Sequence, residues 1–149
     1  MDYRKFFRRD SDEVAMDLLG RLLVRTTKKG ATAGRIIQVG AYEEGVTPSR
    51  EGMFYAPGRI FLMPYRGAHL LNVATDKEDY PSCVEIREIA FHDKIIKGSG
   101  LITKAFDLEN LDGILLGGEL QIIGKPVQKS KVKRINGNSD NCLGYFLIK

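Results

Sequence analysis

The sequence has few of the residues that disulfide and metal sites require. Its 149 residues include two cysteines, Cys83 and Cys142, and two histidines, His69 and His92. One cysteine pair this far apart forms no disulfide framework and lacks the spacing of a structural zinc site. Two histidines are too few for a histidine-rich metal centre. We therefore expect two reduced thiols, no bound metal and no cofactor.

Long apolar runs are also missing. No run approaches the roughly 20 residues that a membrane-spanning helix needs, and the first ten residues lack the apolar core of a secretory signal. These absences predict a cytoplasmic protein, associated with the nucleoid in a prokaryote, that has no membrane partner. A hydrophobic content of 43% in 149 residues suffices for one cored domain spanning the chain.

The charge balance is mildly basic. Lys and Arg number 23 against 19 acidic residues, which gives a net charge of +4. Basic side chains concentrate at residues 4–9 and again at residues 125–134. Such clusters are typical of proteins that bind nucleic acid or another polyanion, and equally of an ordinary solvated surface.

Strand patterns dominate the chain. Asp10 and Glu13 have the spacing of a capping box, and Gly20 fits the end of the short helix that would follow. A turn at residues 28–30 predicts a hairpin between a strand that begins at residue 22 and one at 32–42. Other predicted elements are strands at residues 59–63, 69–74, 82–90, 118–123, 132–135 and 145–148, and a helix at 101–106. The class is α+β: a curved, mainly antiparallel sheet with a few flanking helices.

Strand alternation groups the side chains that could carry chemistry. Gly40 and Tyr42 share one face of the second strand, and Glu85 and Arg87 share one face of the strand at residues 82–90. Tyr42 could stack on a base or pack on the core. Glu85 and Arg87 could form a structural ion pair or line a site.

Two further residues have a local pattern with two interpretations. Tyr65 precedes Arg66 and Gly67 at an expected hairpin tip, where an aromatic side chain can enter a duplex or simply complete a turn. Asn72 lies in an apolar strand, so its amide either closes a structural hydrogen bond or lines a pocket.

Several different short motifs follow one another in a specific order along the chain. These are LLGRLLVR at residues 18–25, GRII at 34–37, Ala41-Tyr42, the segment Arg50 to Gly58 with its Met-Phe and Pro-Gly pairs, CVEIRE at 83–88, and fainter motifs at Gly98–Gly100 and Arg134–Asn136. The ordered set resembles the alkyladenine (3-methyladenine) DNA glycosylase family of base excision repair, and it covers most of the chain.

The resemblance implies roles for individual residues. Tyr42 would form one wall of the base pocket, Leu62 or else Met63 the opposite wall, and Asn72 would screen the extruded base. Arg87 would line the active site. Tyr65 would enter the minor groove, with Arg66 and Arg134 contacting DNA. The implied partner is double-stranded DNA that contains alkylated bases, bound by a monomer.

The chain departs from the family at the position that matters most for chemistry. The family has a catalytic glutamate two residues before the tyrosine, and this chain has Gly40. The family's loop histidine is also missing, since residues 1–68 contain no histidine. Glu85 could replace the general base, as could Glu43 or Glu44. Restoring the carboxylate by Gly40→Glu is then expected to raise activity.

Three functions follow from this pattern. The first is a 3-methyladenine DNA glycosylase that flips alkylated bases and releases them hydrolytically, without a metal. The second is a damaged-DNA-binding protein of the same fold that cleaves nothing, which the missing glutamate favours. The third is an RNA-binding domain that uses the same sheet.

Overall fold

In the described parts of the chain, a nine-stranded antiparallel sheet organises the molecule. The computed structural model describes residues 1–43, 54–128, 131–136 and 143–147, and for residues 134–136 and 143–147 it describes the backbone alone. The main path of the sheet runs β3-β4-β5-β2-β1-β7. Strand β6 adds to β5, and β9 joins β2 to β8.

The strands and helices have the following bounds. The strands are β1 (Leu22–Thr27), β2 (Gly30–Tyr42), β3 (Ile60–Tyr65), β4 (Ala68–Ala74), β5 (Cys83–Phe91), β6 (Lys94–Lys97), β7 (Leu120–Ile123), β8 (Val132–Asn136) and β9 (Leu143–Leu147). The helices are α1 (Tyr3–Phe7), α2 (Ser11–Leu18) and α3 (Ser99–Ala105). None of the helices in the described ranges is long and apolar enough to cross a membrane.

The predicted α+β class is confirmed, and most predicted strands lie within a few residues of their expected bounds. Helix α1 and strand β6 were not predicted. Helix α2 begins after Asp10 as expected, but within the described residues the Asp10 side chain makes no capping hydrogen bond. The helix is instead held by burial of Val14, Ala15 and Leu18.

Strand β2 is the longest strand and connects the two halves of the sheet. Its first residues pair with β1 and its last ones with β9, while β5 pairs along its other edge. The ladder with β5 is irregular between Ile36 and Val39 and regular from Val39 onward. The regular part fixes the register at Gly40 and Tyr42, the residues singled out in the sequence.

The main apolar core contains residues from all three helices and most strands. Its largest fully buried side chains include Phe7, Leu18, Ile36, Leu71 and Phe106. A second, smaller group contains Phe61 and Cys83, with Tyr42, Tyr55 and Met63 packed against it. The smaller group lies beside the polar residues described next, so one side of the candidate site is apolar.

Candidate functional site

Cross-strand register brings the predicted site residues together. Gly40 pairs with Glu85, and Tyr42 pairs with Cys83. On the other edge of β5, Asn72 pairs with the same Glu85. Because directly paired residues point to the same face of a sheet, three neighbouring strands present these side chains to one side.

Glu85 is the centre of a hydrogen-bonded cluster. It is 9% exposed. Its Oε1 accepts hydrogen bonds from the Tyr42 hydroxyl at 3.2 Å and from Arg87 Nε at 2.8 Å. Its Oε2 accepts a hydrogen bond from Ser99 Oγ at 2.7 Å. Arg87 Nη2 also donates to the Tyr42 hydroxyl. Four side chains thus form one network, which we call the Glu85 cluster: Tyr42, Glu85, Arg87 and Ser99.

Arg87 occupies the space that a side chain at position 40 would fill. A Cβ atom added at Gly40 would lie 2.5 Å from Arg87 Cζ and 2.6 Å from its Nη2. Such distances are far below van der Waals contact, so a side chain at position 40 would require the guanidinium, the far end of a flexible side chain, to move. The guanidinium lies there because it pairs with Glu85, and the pairing predicted between these two residues is confirmed.

A cleft of about 490 Å³ opens beside the Glu85 cluster. Glu85, Arg87 and Ser99 line it together with Tyr65 and residues from three other segments. Those additional lining residues are Gln38, Ala68, Leu70, Glu88, Lys97, Gly98, Gly100, Leu101 and Lys104. The cleft therefore joins the cluster to the tip of the β3–β4 hairpin and to the start of α3.

The β3–β4 hairpin carries the exposed tyrosine. Tyr65 is paired with Ala68 across a two-residue turn, and the intervening Arg66 and Gly67 have φ of 47° and 80°. Positive φ at both central residues is the type I′ turn that suits a hairpin. Tyr65 is 49% exposed. The Arg66 guanidinium carbon lies 5.2 Å from the centre of its ring. The hairpin tip predicted from the sequence is present, and it projects an aromatic and a cation together.

Leu62 and Met63 lie on opposite faces of β3. Leu62 is buried in the main core, and its backbone N–H donates to Asp112 Oδ1. Met63 packs with Tyr42 in the smaller apolar group. Met63, the alternative from the sequence, therefore lies on the face of Tyr42, whereas Leu62 lies on the opposite face.

Asn72 is buried and has partners on its own sheet. Its Nδ2 donates to the Leu70 carbonyl, and its Oδ1 accepts from Cys83 Sγ at 3.5 Å. These contacts are structural hydrogen bonds, the first of the two alternatives that the sequence offered for Asn72. They fix its amide next to Glu85, its register partner.

Two other predicted residues lie away from the Glu85 cluster. Arg134 is in β8, and its side chain is outside the described residues. Glu43 turns to α2, where it accepts a hydrogen bond from Ser11 Oγ. Burial raises the pKa of Glu43, and the Ser11 hydrogen bond partly opposes that rise. Glu44 and the segment 50–53 are outside the described residues.

The sequence interpretation missed Ser99 as a member of the cluster. The glycine-flanked serine at residues 98–100 was visible only as a faint motif. Its contact with Glu85 depends on the packing of α3 against β4 and β5, and no local sequence pattern predicts that packing. Among the described residues, no group of three or more His, Cys, Asp or Glu side chains could hold a metal ion.

Comparison with known proteins identifies the family. The family model for methylpurine-DNA glycosylase (MPG) matches residues 5–138. The chain belongs to the methylpurine-DNA glycosylase family. The family predicted from the ordered motifs is thereby confirmed.

Individual relatives agree with this assignment. A protein of Methanocella arvoryzae named "Putative 3-methyladenine DNA glycosylase" is 30% identical over 87% of this chain and 80% of its own length. Proteins of the same name from Anaeromyxobacter dehalogenans and Bacillus subtilis are 37% and 33% identical. The chain spans about half the length of these last two, 45% and 50%.

Proposed function

We propose that this protein is a DNA glycosylase that binds duplex DNA, rotates an alkylated base out of the helix and releases it by hydrolysis. Family membership supports the reaction class. One observation carries the proposal for this particular chain: the Glu85 carboxylate lies directly across the strand pair from Gly40. A carboxylate is thus available at the site although the family's glutamate is missing.

The Glu85 side chain is close enough to reach the space beside position 40. Directly paired residues of an antiparallel pair have Cβ atoms about 4.5–5.5 Å apart. A glutamate side chain on β5 can therefore place its carboxylate in nearly the same space as one on β2, provided that position 40 itself has no side chain. Glycine satisfies that condition. Glu85 also lines the cleft, where a sugar and a water molecule would have to enter.

The chemical step needs one group that accepts a proton and stabilises positive charge. The bond between the sugar carbon and the base nitrogen breaks, and its electron pair leaves with the base. Water adds to that sugar carbon and loses a proton, which passes to Glu85. The carboxylate also stabilises the cation-like sugar through its negative charge. Arg87 and Tyr42 hold Oε1 in place during this step.

The ion pair determines which bases are favoured. Arg87 offsets much of the negative charge on Glu85, so the carboxylate stabilises positive charge on the sugar less than an unpaired one would. A cationic base such as 3-methyladenine is already a good leaving group and needs little help. A neutral base such as hypoxanthine needs more. We infer a strong preference for cationic lesions.

DNA binding would use the hairpin tip and the cleft rim. Tyr65 would enter the minor groove and fill the gap left by the extruded base. Arg66, Lys97 and Lys104 would contact phosphates, so affinity would fall as salt rises. We expect the protein to act as a monomer and at chromosomal DNA in the cytoplasm.

The proposal is tested by base release from duplex DNA that contains 3-methyladenine or hypoxanthine. Wild-type protein is expected to release 3-methyladenine and to leave hypoxanthine almost untouched. Efficient release of hypoxanthine would show that the catalytic group lies elsewhere. Undamaged duplex of the same sequence is the control for nonspecific release.

A binder that cleaves nothing is the second candidate, and one observation favours it. Three donors already bind the Glu85 carboxylate, which leaves few acceptor positions for a water molecule. A wild type that binds the 3-methyladenine duplex more tightly than the undamaged one, but releases no base over hours, would establish this alternative.

A further inference from the structure

Ser99 makes a contact with Glu85 that the sequence motifs do not indicate. Ser99 is the first residue of α3 and is 4% exposed. Its Oγ donates to Glu85 Oε2 at 2.7 Å, a short hydrogen bond that is typical of a charged acceptor. The contact joins residues 14 positions apart in the chain.

The two oxygens of Glu85 have different surroundings. Oε1 accepts from both Tyr42 and Arg87. Within the described parts of the chain, Oε2 accepts one hydrogen bond, from Ser99. A carboxylate oxygen can accept two. Oε2 can therefore accept one more hydrogen bond. It is the oxygen to which a water molecule in the cleft can donate.

The backbone around Ser99 is fixed on both sides. Gly98 has φ of 124°, a conformation that side chains rarely permit, and its N–H donates to the Arg87 carbonyl on β5. A Cβ on Gly100 would lie 3.0 Å from Ala68 Cβ, so the start of α3 lies tight against the β3–β4 hairpin. The two glycines thus place the serine hydroxyl over Glu85, and this accounts for the glycine-flanked serine of the sequence.

We propose that Ser99 is a positioning residue, which orients Oε2 of Glu85 so that its free lone pair is directed at the attacking water. The proposal rests on the proposed function. Without Ser99 the carboxylate would stay held through Oε1 alone and could turn about its last side-chain bond. Oε2, which can accept a further hydrogen bond, would then spend most of its time pointing away from the attacking water.

Thr103 offers a matched control. Thr103 is buried in the same helix, and its Oγ1 donates to the Ser99 carbonyl. It is not among the residues that donate to Glu85 within the described parts of the chain. Ser99→Ala and Thr103→Ala each remove one buried hydroxyl from α3. Only the first removes a contact with the carboxylate, so the pair separates positioning from helix stability.

The experiment measures single-turnover release of 3-methyladenine together with the Kd for the lesion duplex. Ser99→Ala is expected to lower the rate about 10- to 100-fold, the usual worth of a hydrogen bond to a charged group, with Kd unchanged. Thr103→Ala should keep the wild-type rate, and Ser99→Thr, which retains the hydroxyl, should restore most of it. Equal rate loss in Ser99→Ala and Thr103→Ala would overturn the proposal.

A crystal structure of Ser99→Ala provides a readout that does not need activity. The Glu85 carboxylate is expected to turn away from its wild-type orientation. An unmoved carboxylate overturns the positioning role. A turned carboxylate in a protein whose wild type releases no base would support the contact and refute the glycosylase function, so the two failures are distinguishable.

Discussion

Two arginine–glutamate pairs lie in different parts of the same sheet, and their surroundings differ. Arg25 on β1 pairs with Glu119 at 2.8 Å, and Arg87 on β5 pairs with Glu85 at the same distance. The Glu119 side chain is 66% exposed, whereas that of Glu85 is 11% exposed. Distance alone does not distinguish the pairs; burial and the other partners do.

The remaining contacts reveal what each arginine does. Arg25 donates to the carbonyls of Thr26, Phe106 and Asp107, so it ties β1 to the chain after α3. Arg87 donates to the side chains of Glu85 and Tyr42. An arginine that donates hydrogen bonds to backbone carbonyls holds segments of the backbone in place. One that binds ionisable side chains beside a cleft would serve the proposed chemistry.

The largest expected effect comes from removing the acid of each pair. Glu85→Gln should lower 3-methyladenine release about 100-fold or more, the usual contribution of a catalytic base. Glu119→Gln should leave the rate unchanged, because that pair lies away from the cleft. Base release by the two variants, with circular dichroism to confirm folding, makes the comparison. Equal losses would mean that Glu85 has no chemical role.

The second contrast concerns stability. Arg25→Met keeps the buried aliphatic part of the side chain but removes its hydrogen-bond donors. Buried carbonyls near Phe106 then lose their partner, which lowers the free energy of unfolding by about 1–3 kcal/mol. The midpoint of thermal unfolding should fall by several degrees. Glu119→Gln should scarcely change it, since exposed ion pairs contribute about 0–1 kcal/mol. A larger loss in Glu119→Gln would show that the exposed pair, not the carbonyl contacts, holds β1.

A third contrast uses the two edges of the sheet. Tyr65 at the β3 edge should matter only when a base is extruded, so Tyr65→Ala should weaken binding to lesion DNA more than to undamaged duplex. Ile123 is an exposed apolar residue on β7, at the opposite edge. Ile123→Ala should affect neither affinity. Gel-shift titrations on both duplexes measure this, and equal weakening by Tyr65→Ala would refute insertion.

The smallest effect is expected at Glu43, the acid that turns away from the cluster. Its pKa is raised by burial, so the folded state holds the proton more tightly than the unfolded chain does. This carboxyl therefore favours folding below its ordinary pKa, and that contribution is lost as pH rises through the raised pKa. Glu43→Gln should stabilise only slightly at neutral pH, because solvent screens most of the effect on this partly exposed carboxyl, and by nothing at low pH. Urea unfolding at several pH values tests this, and a benefit independent of pH would exclude the ionisation.

Local patterns predicted the hairpins and the site strands well. Arg66-Gly67 marks a turn by itself, and a period of two places Gly40 with Tyr42 and Glu85 with Arg87. Leu62 and Met63 could not be separated from the sequence because a shift of one residue moves a side chain to the other face. Helix α1 has five residues and β6 has four, too short for a periodic signal. The Ser99 contact depends on tertiary packing, which no spacing encodes.

Gly40 has a consequence for how this sequence could change. Glutamate at position 40 would displace the Arg87 guanidinium from Glu85 and would place two carboxylates on directly paired residues, where like charges repel. Gly40→Glu alone is therefore expected to lower activity, in contrast to the simple expectation from the family pattern. Reversion to the family arrangement is favourable only after position 85 has lost its acid. The order of substitutions is thus constrained, and the two positions are expected to vary together.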